Sequence, residues 1–250
     1  VSPVQDPRVQ IVRAEHVGPY AARDVGIAAS TGTHVRFIDA DDEVIAGSTT
    51  RLLAAAMDAG AIAHGATEVC DAELGVRSMS ASSIEGDAVD ACLLGEFDVF
   101  HVSLLYPRDV VEGAGRWDVP GFRVSGDWDF VLRAVELSPV VPVDGVMTRY
   151  RRHAASVMSA ARIEDGGAAR ALVLDRHFTR HPERRSTSIE RRAYGAMHLD
   201  QAVAHAWRGH RAAAARHLVR AMRHRPFHST RVAAGVIGER LRRVRPGPTP

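Results

Sequence analysis

The chain contains no lysine: all 32 of its basic residues are arginine. That uniformity reflects genome base composition and is no sign of phosphate-binding design. Cysteine is nearly absent too. Cys70 and Cys92 stand alone, without metal or redox spacing, which excludes a disulfide framework and fits a reducing cytoplasm. No apolar run approaches the roughly 20 residues that a membrane span requires, and no basic-then-apolar secretory signal opens the sequence. Glycine-rich phosphate loops, Ser or Cys nucleophile elbows and nucleic-acid motifs are missing, so nucleic acid is not an expected partner. What remains, 46% hydrophobic and 25% charged over 250 residues, suits one sizeable globular domain with an appendage.

The net charge of +2 hides a split. Residues 1–160 carry 13 Arg against 23 Asp and Glu, or −10, whereas residues 161–250 carry 19 against 7, or +12. A basic end of this kind is drawn to an anionic membrane surface or a polyanionic acceptor, which would put the protein at the inner face of the membrane. Solvated helix faces in an arginine-rich chain are the plainer reading.

The most informative stretch is Arg36-Phe37-Ile38-Asp39-Ala40-Asp41-Asp42-Glu43-Val44-Ile45, an apolar strand running into a knot of carboxylates. Clustered aspartates repel one another, and a hard divalent cation, Mn2+ or Mg2+, would reverse that cost. On an extended backbone Asp39 and Asp41 leave the same face. They can share one metal, or one can bind metal while the other meets a ligand hydroxyl.

Ahead of the knot, Ala22-Arg23-Asp24, Gly26 and Gly32 mark a small-residue helix with a glycine stop. Together with Asp39-Ala40-Asp41-Asp42 this order resembles the inverting family 2 glycosyltransferases of the GT-A fold, although Asp24 stands where that family usually has Asn. Two later segments match in order. Trp117-Asp118 followed by Gly126-Asp127-Trp128-Asp129 resembles the acceptor-side stretch, with Gly126 in place of the customary Glu. Tyr150-Arg151-Arg152-His153, with Ser156, resembles the close of the catalytic domain.

The resemblance implies a metal-dependent inverting transferase moving a sugar from a nucleotide-diphosphate donor to a glycan or lipid-linked hydroxyl. Asp127 would be the general base, although Asp at a helix start is also a favoured cap. Asp41 would coordinate metal directly, with Asp39 sharing it or meeting the ribose, and His153 would bind metal or diphosphate. Arg23 and Arg151 would touch the donor, with a salt bridge an equal alternative for Arg23. Asp42 reads as a cap of the helix over 47–59 or of the loop that precedes it. Trp117 and Trp128 would stack on an acceptor sugar, a role that simple burial competes with.

Family members normally open with two strands carrying a Pro-Thr-Tyr-Asn type turn and Asp-Asp-Gly-Ser, and residues 1–8 carry neither. The chain reads as shortened by roughly a βαβ unit of about thirty residues. This leaves open an alternative, a catalytically impaired glycosyltransferase-like protein serving as an interaction module.

Expected organisation is a truncated α/β GT-A catalytic domain over 1–159, a basic helical region over 160–244 and a disordered tail at 245–250. Strands are expected at Val9–Val12, His34–Ile38, Ala61–Cys70 and Phe97–Tyr106, and at Val140–Val143 and Val146–Tyr150 around an Asp144-Gly145 turn. Helices are expected at 47–59, 127–137, 164–180, 187–207, 210–224 and 229–243, with a glycine-rich loop over 110–125.

Overall fold

The computed structural model describes residues 6–14, 18–97, 100–153 and 163–224. Ser156, the boundary expected at residue 159, the 229–243 helix and the 245–250 tail fall outside these residues. Two compact units emerge. The first is drawn from Val1–Asp87, Val99–Phe122 and Gly126–Arg152, the second from Ala88–Asp98, Arg123–Ser125 and His153–Pro250.

The first unit is a mixed sheet with helices. Its elements are α1 (Gly18–Ala29), β1 (His34–Val35), β2 (Glu43–Val44), α2 (Ser48–Ala59), β3 (Ile62–Cys70) and β4 (Val76–Ser80). β5 (Leu104–Pro107), α4 (Arg108–Ala114), α5 (Gly126–Val135) and β6 (Val140–Arg151) complete it, α3 being reserved for Val89–Leu94 of the second unit. Strand order is β1-β5-β3-β6-β2, with β4 also paired to β3. The β3–β6 pair is parallel and the others antiparallel. β3 has sheet partners on both sides and is buried along most of its length, as a central strand should be.

Alanine and leucine give α2 strong helix propensity, and Leu52 and Ala56, one turn apart, lie on its inner face. They pack on Ala63, Leu105 and Met147 of the sheet. An aromatic cluster forms a second part of the core. Trp117 stacks on Phe130 at 4.0 Å between centroids, and Phe37 meets both, at 4.7 and 5.8 Å.

Several expectations are corrected. Residues 9–12 form no strand; Val9, Ile11 and Val12 are exposed, so nothing pairs with or covers them. The strand expected over 97–106 is instead a 3₁₀ turn at His101–Ser103 followed by β5. Side-chain bonds fix that turn: Thr67 Oγ1 and Ser103 Oγ lie 2.6 Å apart, and Thr148 Oγ1 donates to Val102 O at 2.9 Å. The glycine-rich 110–125 stretch begins as a helix, α4, stopped at Gly115 with φ +76°. Asp144-Gly145 makes no hairpin. β6 runs through it as one bulged strand whose register against β3 passes from Gly65↔Val143 to Ala66↔Val146. Gly145 takes φ +88°, and Arg51 donates to Asp144 O and Val146 O.

The second unit is helical: α3, then α6 (Ile163–Arg180), α7 (Ser188–Trp207) and α8 (Arg211–His224). Its core holds Leu93, Val173, Leu174, Phe178, Ala193 and Met197, all buried. Ion pairs Arg184–Asp90 and Arg170–Asp200 tie its helices together.

Candidate active site

β1 feeds the acidic knot, and Arg36 anchors the chain just before it. Its guanidinium donates to Val102 O, Ser48 Oγ, Thr49 Oγ1, Met147 O and Thr148 Oγ1 at 2.6–3.2 Å. After Asp39 the backbone turns at once, Asp42 N–H donating to Asp39 O at 3.1 Å.

Asp39 does not stand free. Arg23 Nη2 donates to its Oδ1 at 2.5 Å, and His101 Nε2 lies 3.5 Å from its Oδ2. The other ring nitrogen of His101 lies 3.7 Å from Asp127 Oδ2. One buried imidazole therefore bridges the strand-end knot and the first turn of α5. Both separations are long for hydrogen bonds and are ion-pair contacts. Arg23 also lies 3.0 Å from His101 Nε2 and sits over the Trp117 ring at 4.7 Å.

The proton affinities follow. Burial pushes the Asp39 carboxyl up, but His101 and Arg23 outweigh it and bring its pKa to about 2. For Asp127 burial also acts upward, and the His101 imidazole and Trp128 N–H bring the net below the usual carboxylate range. His101 is the mirror case: burial lowers it, and Asp127 and Asp39 raise it further. Asp42 is different. Burial, with Asp39 and Asp41 nearby, lifts its pKa to about 6 against the Arg151 N–H that bonds it.

Asp42 Oδ1 accepts from Arg151 N–H at 3.0 Å, so its carboxylate ties the knot to β6 and does not cap α2 as expected. Its buried Oδ2 has no donor. That orphaned oxygen leaves a buried acceptor unsatisfied at the knot, and the all-oxygen donor set suits a hard divalent ion. Asp41 is exposed. Among the described residues, Asp39, Asp41 and Asp42 do not offer three oxygens within 4.8 Å of one another, so a metal would need some of them to turn. His153 belongs to the second unit, and its ligand role stays a proposal.

Trp117 is corrected: the ring is 0% exposed and stacked on Phe130, so it cannot face a sugar. Trp128 is half-buried. Asp129 is a buried structural partner of Arg133, bonded at 2.8 and 2.9 Å. Arg151 is half-buried beside Asp42.

The two departures from the family pattern have physical reasons. Asp24 accepts from Trp117 N–H at 2.8 Å, Asp118 N–H at 3.1 Å and Arg116 Nε at 3.2 Å, a set that a carboxylate satisfies with both oxygens. At Gly126 an added Cβ would come within 2.7 Å of the Tyr20 ring, whose hydroxyl accepts from Gly126 N–H at 3.0 Å. Tyr20 occupies the space a glutamate side chain would need. Sequence reasoning missed His101 and Tyr20; neither lies in a motif, and only their position across the fold marks them.

A mixed sheet flanked by helices, with an acidic knot where a strand ends, is a GT-A-type fold. Residues 1–112 match the family model described as Glycosyl transferase family 2. The chain is also similar to a PGL/p-HBAD biosynthesis glycosyltransferase of Mycobacterium bovis (strain BCG / Pasteur 1173P2). Identity is 29% over 173 residues, covering 68% of this chain and 60% of that protein. The same figures hold for the protein of that name from Mycobacterium tuberculosis (strain ATCC 25177 / H37Ra). The chain thus spans less than two thirds of the length of these curated relatives. No helix among the described residues is long and apolar enough to cross a membrane.

Proposed function

We propose that the protein transfers a sugar, with inversion, from a nucleotide-diphosphate donor to a glycan or lipid-linked hydroxyl, aided by Mn2+ or Mg2+. One observation carries this reading: Asp39 and Asp127, from separate elements, contact opposite nitrogens of one imidazole. Inverting transfer needs a base facing the acceptor near the donor-binding knot. Asp127 has its pKa below the usual carboxylate range, so it is ionised at neutral pH, and it is half exposed, within reach of an acceptor hydroxyl.

Asp41 and Asp42, with Asp39, would hold the cation, which when bound neutralises charge on the diphosphate leaving group. Arg23 holds Asp39 in place, and His101 keeps the two carboxylates apart while balancing their charge. Arg151 completes the donor side, and Trp128 contributes to the acceptor side. The domain division at about residue 159, with a basic helical region over 160–244, is part of this reading. So is cytoplasmic placement with attraction of that region to an anionic membrane face. The relatives' role in PGL/p-HBAD biosynthesis agrees with a glycoconjugate product.

Asp127→Asn is expected to cut transfer on the order of 10²–10⁴-fold. Thermal stabilisation by a nucleoside diphosphate with Mn2+ should persist in that variant. Full activity in Asp127→Asn would contradict the assignment. If no nucleoside diphosphate binds with metal, the interaction-module alternative is favoured instead.

A further inference from the structure

The second unit holds a cluster of imidazoles that sugar transfer does not use. His198 and His205 are seven residues apart on α7, and His217 and His224 are seven apart on α8. Seven residues are nearly two full turns, so each pair lies on one face of its helix. A short connection, Arg208–His210, folds the two helices against each other and brings the faces together. Five of the thirteen histidines fall within residues 198–224, where an apolar seam would serve packing better.

The rings form a continuous row. His198 Nδ1 and His217 Nδ1 are 3.3 Å apart, as are His205 Nδ1 and His210 Nδ1. His205 stacks on His217 at 5.5 Å between centroids, and His224 lies 6.2 Å from His198. Two nitrogens on one tetrahedral zinc lie about 3.3–3.4 Å apart, given Zn–N bonds of about 2.0–2.1 Å. Both close pairs match that separation.

We propose that the α7–α8 hairpin is a binding site for a nitrogen-seeking divalent ion, Zn2+, Ni2+ or Cu2+. His198 and His217 supply two ligands, and water completes the set. Imidazole nitrogens suit these ions and not the hard ions expected at the acidic knot. The charges around the row sharpen that choice. Arg216 and Arg220 of α8 act on His217 as nearby cations, with Glu164 of α6 acting against them. A largely cationic surround repels weakly held ions such as Mg2+ and admits only those that bond strongly to nitrogen.

The test is calorimetric titration of the chelator-treated full chain with ZnCl2 and NiCl2, alongside thermal denaturation. Saturable binding with a rise in Tm is expected, with MgCl2 giving no effect that depends on the histidines. His217→Gln and, separately, His198→Gln should each weaken zinc binding at least tenfold while leaving far-ultraviolet dichroism unchanged. Asp41→Asn should leave this binding intact, which separates the hairpin from the knot. Visible absorption of the Co2+ form should show nitrogen-ligand bands that both histidine variants lose. Zinc binding unchanged in both variants, or no saturable binding of either zinc or nickel, would overturn the proposal; a shared N–H···N hydrogen bond would then account for the 3.3 Å pairs.

Discussion

In the first unit His101 lies between two carboxylates that raise its proton affinity against the pull of burial. In the second, burial, with His217, Arg220 and His224 beside it, drives His198 down to about 4. The same side chain is thus tuned in opposite directions. Near neighbours set the direction in each case: Asp127 and Asp39 for His101, burial and Arg220 for His198. A proton on His101 completes a charge-balanced contact; a proton on His198 would sit among cations.

The contrast can be broken at its arginines first. Arg133→Ala in the first unit strips the buried Asp129 of its partner, and a stability loss of about 3–5 kcal/mol is expected by chemical denaturation. Arg220→Ala, an exposed change in the second unit, should shift stability by no more than about 0.5 kcal/mol. Equal effects would show that the buried pair is not what distinguishes the units.

Glycines provide a smaller contrast. Gly126→Ala drives a methyl into the Tyr20 ring and should cost about 1–3 kcal/mol. Adding Tyr20→Ala should recover the part due to the clash. In the second unit Gly166 of α6 has open space around it, so Gly166→Ala should stabilise by roughly 0.5–1 kcal/mol. A stabilising Gly126→Ala would remove the steric reason given for the missing glutamate.

The smallest effect is set by pH. His198 is depressed below the ordinary 6.5, so its neutral form favours the fold, and that contribution fades as pH falls from about 6.5 towards about 4. His101 is raised above 6.5, so its stabilisation is whole below that value and is lost as pH rises through the shifted one. Asp39, lowered from 3.8 to about 2, contributes above pH 3.8 and loses its part only as pH falls towards 2. Between pH 7 and 5, amide protection factors, taken against the intrinsic exchange rate at each pH, should fall in the α7–α8 hairpin while those around His101 hold or rise. Parallel behaviour of the two regions would erase the comparison.

Much of this architecture was legible in the chain. Helices over 47–59, 127–137, 164–180, 187–207 and 210–224 appear within a few residues of their expected ends, because each carries an amphipathic stripe that local spacing reveals. Asp39 and Asp127 were legible as a pair through ordered motifs. The unreadable parts depend on distant partners. Asp144-Gly145 has hairpin chemistry, yet parallel pairing with β3 overrides it and leaves a bulge. His101 reaches its place through a 3₁₀ turn held by Thr67 and Thr148, residues 34 and more positions away. Trp117 looked like an acceptor platform but fills the core, since an indole satisfies either role by composition alone.

The account rests on Asp39 and Asp127 serving one cleft in the first unit. A crystal structure of the full chain grown with MnCl2 and a nucleoside diphosphate, phased on manganese anomalous scattering, examines this directly. The cation should lie against Asp41 or Asp42, with the diphosphate on the side of His101 that Asp127 faces. Manganese bound elsewhere, or a diphosphate with Asp127 turned away from it, would contradict the account.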